Sequence, residues 1–175
     1  MTVVRGFNIE YVLRGQAMAK GRSVLTAAAG EHFVAYRLSE RGWTVSLTRG
    51  GARAVDMMVC HSDGKKAICL QVKTSDSAFR PRVRKPEDTH WQWRWSKPAK
   101  ETGVSQGDDL FYVFVDLCRE EACSKLSFPK AFVVPSKEVA ARIGPDWTMA
   151  LMTIKQGEES QWLEAWHLLE ERLHA

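Results

Sequence analysis

Two apolar-polar runs meet at Ser62-Asp63-Gly64-Lys65, and they organise the reading of the whole chain. Asp-Gly between apolar stretches is a strong short-range signal for a two-residue hairpin loop, which predicts arms near Ala54 to His61 and Lys66 to Thr74. If Ser62 pairs with Lys65, a fixed register follows, with Cys60 opposite Ala67 and Asp56 directly across from Gln71. Side chains alternate along a strand, so Lys73 shares the face of Gln71 and its stem reaches diagonally toward Asp56. Leu70 and Val72 turn to the other face, which suits a hydrophobic core.

A helix is expected before the hairpin, from about Ala27 to Arg41, with Gly42 placed to end it in a left-handed conformation. Its apolar stripe runs through Ala27, Val34, Ala35 and Leu38, and Glu31 lies on the same stripe. An inward carboxylate needs a partner, because burying an unpaired charge costs several kcal/mol. Gly30 beside it permits close backbone approach. Trp43, Val45 and Leu47 alternate with polar residues as in a half-buried strand, which Arg49-Gly50-Gly51 then breaks.

Further along, Leu110 to Leu117 and Ala131 to Val134 read as strands, and a short helix is expected from Ser136 to Gly144-Pro145. Trp147 to Ile154 reads as one more strand. Trp162, Ala165, Trp166, Leu169 and Leu173 keep helical spacing, which predicts an amphipathic terminal helix. The order implies a mixed β-sheet flanked by α-helices, an α/β class. Residues 23–175 form one expected domain, and residues 1–22 are left open between an arm, a short helix and an extension.

Composition narrows the class. A chain of 175 residues buries a substantial core without disulfides. Cys60, Cys69, Cys118 and Cys123 form no framework, and the four residues between Cys118 and Cys123 exceed the usual zinc-knuckle spacing, so reduced thiols are expected. No run of about 18 apolar residues occurs, and a soluble, cytoplasmic protein is the expectation. The net charge of +4 is unevenly spread: residues 1–100 hold 18 Lys plus Arg against 8 Asp plus Glu, and residues 101–175 hold 7 against 13. A polyanion approaching the basic part fits this asymmetry, as does an ordinary solvated surface.

The helix carboxylate Glu31, the strand carboxylate Asp56 and the run Gln71-Val72-Lys73 together resemble the PD-(D/E)XK nuclease superfamily, the restriction-endonuclease-like fold. The usual Pro-Asp pair is here Val55-Asp56, and Gln71 stands where the last motif usually has an acid. The resemblance implies hydrolysis of phosphodiester bonds in DNA or RNA with magnesium or manganese, and a catalytic set of Glu31, Asp56, Gln71 and Lys73. The chemistry also stands on its own terms. Hard cations prefer oxygen ligands, and Glu31, Asp56, the Gln71 amide and the Val72 carbonyl offer them. Lys73 is fit to orient water or to stabilise an anionic transition state.

Each residue has an ordinary explanation when taken singly: an Asp56–Lys73 ion pair, Glu31 at a solvent edge, Gln71 as a polar strand residue. Their order and pairing make the nuclease-like site the leading expectation, DNA being favoured over RNA. A noncatalytic nucleic-acid-binding or assembly module is the alternative. Arg80, Arg82, Arg84 and Lys85 are expected phosphate contacts. Trp91, Trp93 and Trp95 have strand periodicity, which favours packing of one sheet face over stacking on bases. The five histidines show no triad or metal spacing. A homodimer suits two-strand cutting, although no interface is marked in the sequence.

Overall fold

Gly42 ends the first helix as its position suggests. The computed structural model describes residues 9–48, 55–97, 103–119 and 128–175, with side chains from Ser23 onward. In it α1 (Ile9–Ser39) closes through two bonds that wrap around its terminus. The Gly42 amide donates to the Ser39 carbonyl at 2.9 Å and the Trp43 amide to the Leu38 carbonyl at 3.2 Å, with Gly42 at φ 79°. A left-handed residue is needed there, and glycine supplies it without a Cβ clash. The helix starts well before the expected Ala27, because no proline interrupts residues 9–22 and their glycines weaken a helix without ending it. Residues 1–8, the Arg49-Gly50-Gly51 break and Cys123 lie outside the described residues.

The inward stripe of α1 also differs from the expected one. Thr26, Gly30, Val34 and Leu38 are buried, while Ala27 is exposed and Ala35 half-buried. Thr26 tolerates burial because its hydroxyl donates to the Asp76 carboxylate at 3.0 Å.

The hairpin forms with the predicted register. Strands β2 (Met57–Cys60) and β3 (Ala67–Ser75) pair with Cys60 opposite Ala67 and Met57 opposite Leu70. The first strand, β1 (Thr44–Leu47), pairs antiparallel with β2 at the sheet edge. β3 runs parallel to β6 (Leu110–Asp116), and β6 pairs antiparallel with β7 (Lys130–Pro135), giving the order β1-β2-β3-β6-β7. Every residue of β6 is buried, as a central strand covered on both faces requires.

One cover of this sheet is helical and the other is a second sheet. α1 and α3 (His167–His174) pack Val34, Leu38, Leu169 and Leu173 on one face. On the opposite face lies a three-stranded sheet of β4 (Phe79–Arg80), β5 (His90–Ser96) and β8 (Met149–Lys155), with α2 (Ser136–Ile143) beside it. The tryptophan alternation in β5 therefore packs the core: Trp91 and Trp93 are buried, Trp95 is half-buried, and the Trp93 indole donates to the Val115 carbonyl at 2.9 Å.

The terminal helix is shorter than its apolar spacing predicts. Residues 162–164 instead run along β7, with the Val133 amide donating to the Trp162 carbonyl and the Glu164 amide to the Ala131 carbonyl. Glu164 then turns the chain at φ 53°. Backbone pairing at the edge of β7 outweighs helical periodicity there, and Trp162 joins the core on the second-sheet side while Trp166 joins the other.

Candidate active site

The register that sets the site breaks one residue early. Asp56 was expected opposite Gln71, but its amide donates to the Leu70 carbonyl at 2.8 Å, while its own carbonyl accepts from the Thr48 amide at 2.9 Å. Asp56 therefore keeps step with β1 and slips by one against β3. Such an offset bends the strand and re-aims a side chain. The re-aimed carboxylate reaches the β3 backbone, where Asp56 Oδ2 accepts the Val72 amide at 2.7 Å. One oxygen is thus fixed by the sheet, and the group is only half-buried.

Glu31 approaches the same place from α1. Burial raises its carboxyl above the ordinary value of 4.5, and the neighbouring Asp56 charge raises it further; His32 and Lys73 act in the opposite direction. Glu31 on the helix thus feels the charges of Asp56 at the bend and Lys73 on the strand. The helix sits this close because residue 30 is glycine. A Cβ at Gly30 would meet Thr74 Oγ1 at 1.9 Å, so no larger residue fits without moving α1 from β3.

Gln71 and Lys73 are half-buried on the face of β3 that looks toward the second sheet, with Val72 turned into the helical-side core. Lys73 Nζ lies 5.9 Å from the Trp95 ring centroid, a cation–π contact that leans the ammonium toward β5. It also lines a cleft of about 590 Å³ shared by Thr26, Arg80, Arg94 and Trp95. Neither Glu31 nor Asp56 lines this cleft. Among the described residues, no three His, Cys, Asp or Glu side chains gather closely enough to hold a metal by themselves.

The basic loop is only partly as expected. Arg82, Arg84 and Lys85 are exposed, whereas Arg80 donates through Nη1 to the carbonyls of Ser77 and Phe79, both at 3.0 Å, which ties it to its own turn. Two acids that sequence patterns did not mark shape this end of the sheet. Asp116 is fully buried, and its carboxylate accepts the amides of Ala78, Phe79 and Cys118 at 3.0–3.2 Å, pinning the turn after β3 to the end of β6. Asp76 binds Thr26 and Arg119 across the cleft wall. Only a position at a strand end distinguishes these acids in the sequence, since each answers backbone or side-chain donors from distant segments.

No family model matches the chain, and no curated protein matches it in sequence. Among solved structures, the bacterial homing endonuclease I-Ssp6803I superposes with a TM-score of 0.52 over 84% of this chain and 93% of that chain, at 18% sequence identity. The mixed sheet with its flanking helices is thus an endonuclease-like fold.

Proposed function

We propose that the protein is a metal-dependent nuclease that hydrolyses phosphodiester bonds in DNA. The observation that supports this reading is that Glu31 feels the charges of both Asp56 and Lys73, while Lys73 lines a cleft with Arg80 and Arg94. The likeness of the fold to a homing endonuclease supports DNA as the polymer.

The residues fit a divalent cation. Two carboxylates close enough for Asp56 to raise the carboxyl of Glu31 repel each other, and a cation between them relieves that repulsion. Glu31, Asp56, the Gln71 amide oxygen and the Val72 carbonyl would hold magnesium or manganese, both of which favour oxygen donors. When bound, such an ion makes water a better nucleophile and neutralises charge on the phosphate. The Val72 amide holds one Asp56 oxygen and leaves the other for coordination. Lys73 carries the positive charge that offsets the developing phosphate oxyanion and aligns the attacking water. The neutral Gln71 reduces the site's charge, which favours one firmly held ion, a second joining only alongside substrate phosphate.

Linear and supercoiled DNA incubated with magnesium or manganese test the reading. Cleavage by the wild type is expected to fall by about a thousandfold in Asp56→Ala and Lys73→Ala, an electrostatic contribution of ordinary size. The thermal midpoints should stay near the wild type's. Absence of cleavage on every DNA and RNA form, with DNA binding retained, instead supports the noncatalytic binding module. The observation that favours that second reading is Gln71 in place of an acid.

A further inference from the structure

The face of β5 and β8 that looks away from the core carries Gln92, Arg94, Thr153 and Lys155, with Met149 and Leu151 exposed among them. Trp91, Trp93, Met152 and Ile154 point inward, so alternation sends Gln92 and Arg94 outward, opposite Thr153 and Leu151. Beside this face, the turn after β4 carries Arg82, Arg84 and Lys85, all exposed. Turn and strand face together enclose an open cleft of about 720 Å³ to which Lys155 also contributes; Asp88 is the one acid in its lining. Arg94, the next outward residue after Gln92, belongs to the lining of the Lys73 cleft. The basic surface therefore continues from the outer ribbon to the candidate active site.

We propose that this ribbon face reads duplex DNA: β5 and β8 lie in the major groove, with Arg94, Gln92 and Thr153 on base edges and Arg82, Arg84 and Lys85 on flanking phosphates. A major groove about 12 Å wide admits a two-stranded ribbon, and the side chains present match its code. Arginine recognises the O6 and N7 acceptors of guanine in a bidentate manner, glutamine pairs with the N6 and N7 of adenine, and threonine suits either. Leu151 is 45% exposed on the same face and offers an apolar contact to a thymine methyl group. A single strand is the poorer fit. Its binding calls for exposed aromatic rings on which bases stack, whereas Trp91 and Trp93 are buried beneath the ribbon.

This inference deepens the nuclease reading and rests on it for the place of the cut, not for binding. Selection from duplexes with a randomised core, in EDTA and again with calcium, supplies the probe. The wild type is expected to enrich a defined base preference. In Arg94→Ala and Gln92→Ala, discrimination at one or two base pairs should fall by about ten- to a hundredfold, with other positions unchanged. Arg82→Ala, Arg84→Ala and Lys85→Ala should weaken binding evenly across sequences, and each should reduce the salt slope by about 1, as expected when one phosphate is no longer neutralised. A wild type without base preference overturns the proposal. So do ribbon variants with unaltered preference, or tighter binding to single strands than to duplex. Lys73→Ala separates the two readings: base preference without cleavage in the wild type sinks the nuclease and leaves the ribbon, whereas Lys73-dependent cleavage with indifferent ribbon variants does the reverse.

Discussion

The two faces of the five-stranded sheet are packed by different chemistry. On the helical side, Val34, Leu38, Val59, Ile68, Leu70, Val113 and Val133 make a mainly aliphatic core under α1 and α3, with Trp43, Phe111 and Trp166 among them. On the other side, Trp91, Trp93, Tyr112, Phe114, Phe132, Trp147 and Trp162 make an aromatic core under the second sheet. Packing against a helix allows close approach, seen where Gly30 meets Thr74, and brings Glu31 within reach of the Asp56 charge. Large rings instead span the space between two sheets and leave the outward side chains of β5 and β8 on the far surface. The helix that carries Glu31 thus belongs to the tightly packed side and the proposed reading of DNA to the aromatic side, toward which Lys73 reaches from the sheet to Trp95.

Truncation in the aromatic core should do the most damage. Trp93→Ala removes a buried ring together with its indole bond to the Val115 carbonyl, and a loss of about 4 kcal/mol in denaturant unfolding is expected. A loss below about 1 kcal/mol would show that the second sheet adds little to the stability of the first.

Asp116→Ala tests the joint between the two sheets. Its carboxylate serves three backbone amides, so the expected cost is about 3 kcal/mol, and amide exchange should accelerate at Ala78 and Phe79 before the remainder of β6.

Gly30→Ala probes closeness on the aliphatic side. Helix propensity favours alanine by about 1 kcal/mol, but the forced displacement at Thr74 should outweigh it and leave a net destabilisation of about 2 kcal/mol. Nuclease activity should drop by more than this destabilisation accounts for, since Glu31 moves with the helix.

The smallest effect has the opposite sign. Glu31 has a raised carboxyl value in the folded protein, so the fold binds more protons there than the unfolded chain does. Its contribution to stability is greatest below the ordinary value of 4.5 and is lost as pH rises through that value to the raised folded one. Glu31→Gln should therefore raise the thermal midpoint at neutral pH by about 2 °C without metal and change it little in acid. Added magnesium or manganese should stabilise the wild type more than the variant; equal stabilisation would remove Glu31 from the ion's ligands.

Much of the candidate site was legible because hairpin register follows from a short turn. Asp-Gly fixed the pairing of β2 with β3, and Gly30 and Gly42 marked a close approach and a helix end. The slip at Asp56 was not legible, since it satisfies β1 and β3 at once and β1 lies outside the hairpin. The same limit hid Asp116, whose donors come from the turn after β3 and from Cys118.

By itself the sequence determined the local elements: the α1 terminus, the hairpin and its register, the buried strand β6 and the inward set of tryptophans in β5. Periodicity and turn chemistry act over a few residues, and they sufficed there. Tertiary structure alone decided that a second sheet covers one face, that residues 162–164 pair with β7 in place of extending a helix, and that Asp56 turns its carboxylate to the Val72 amide. The first is packing of side chains from segments far apart, and in the other two a backbone donor or acceptor is satisfied by a distant segment; no local pattern encodes which segment that is.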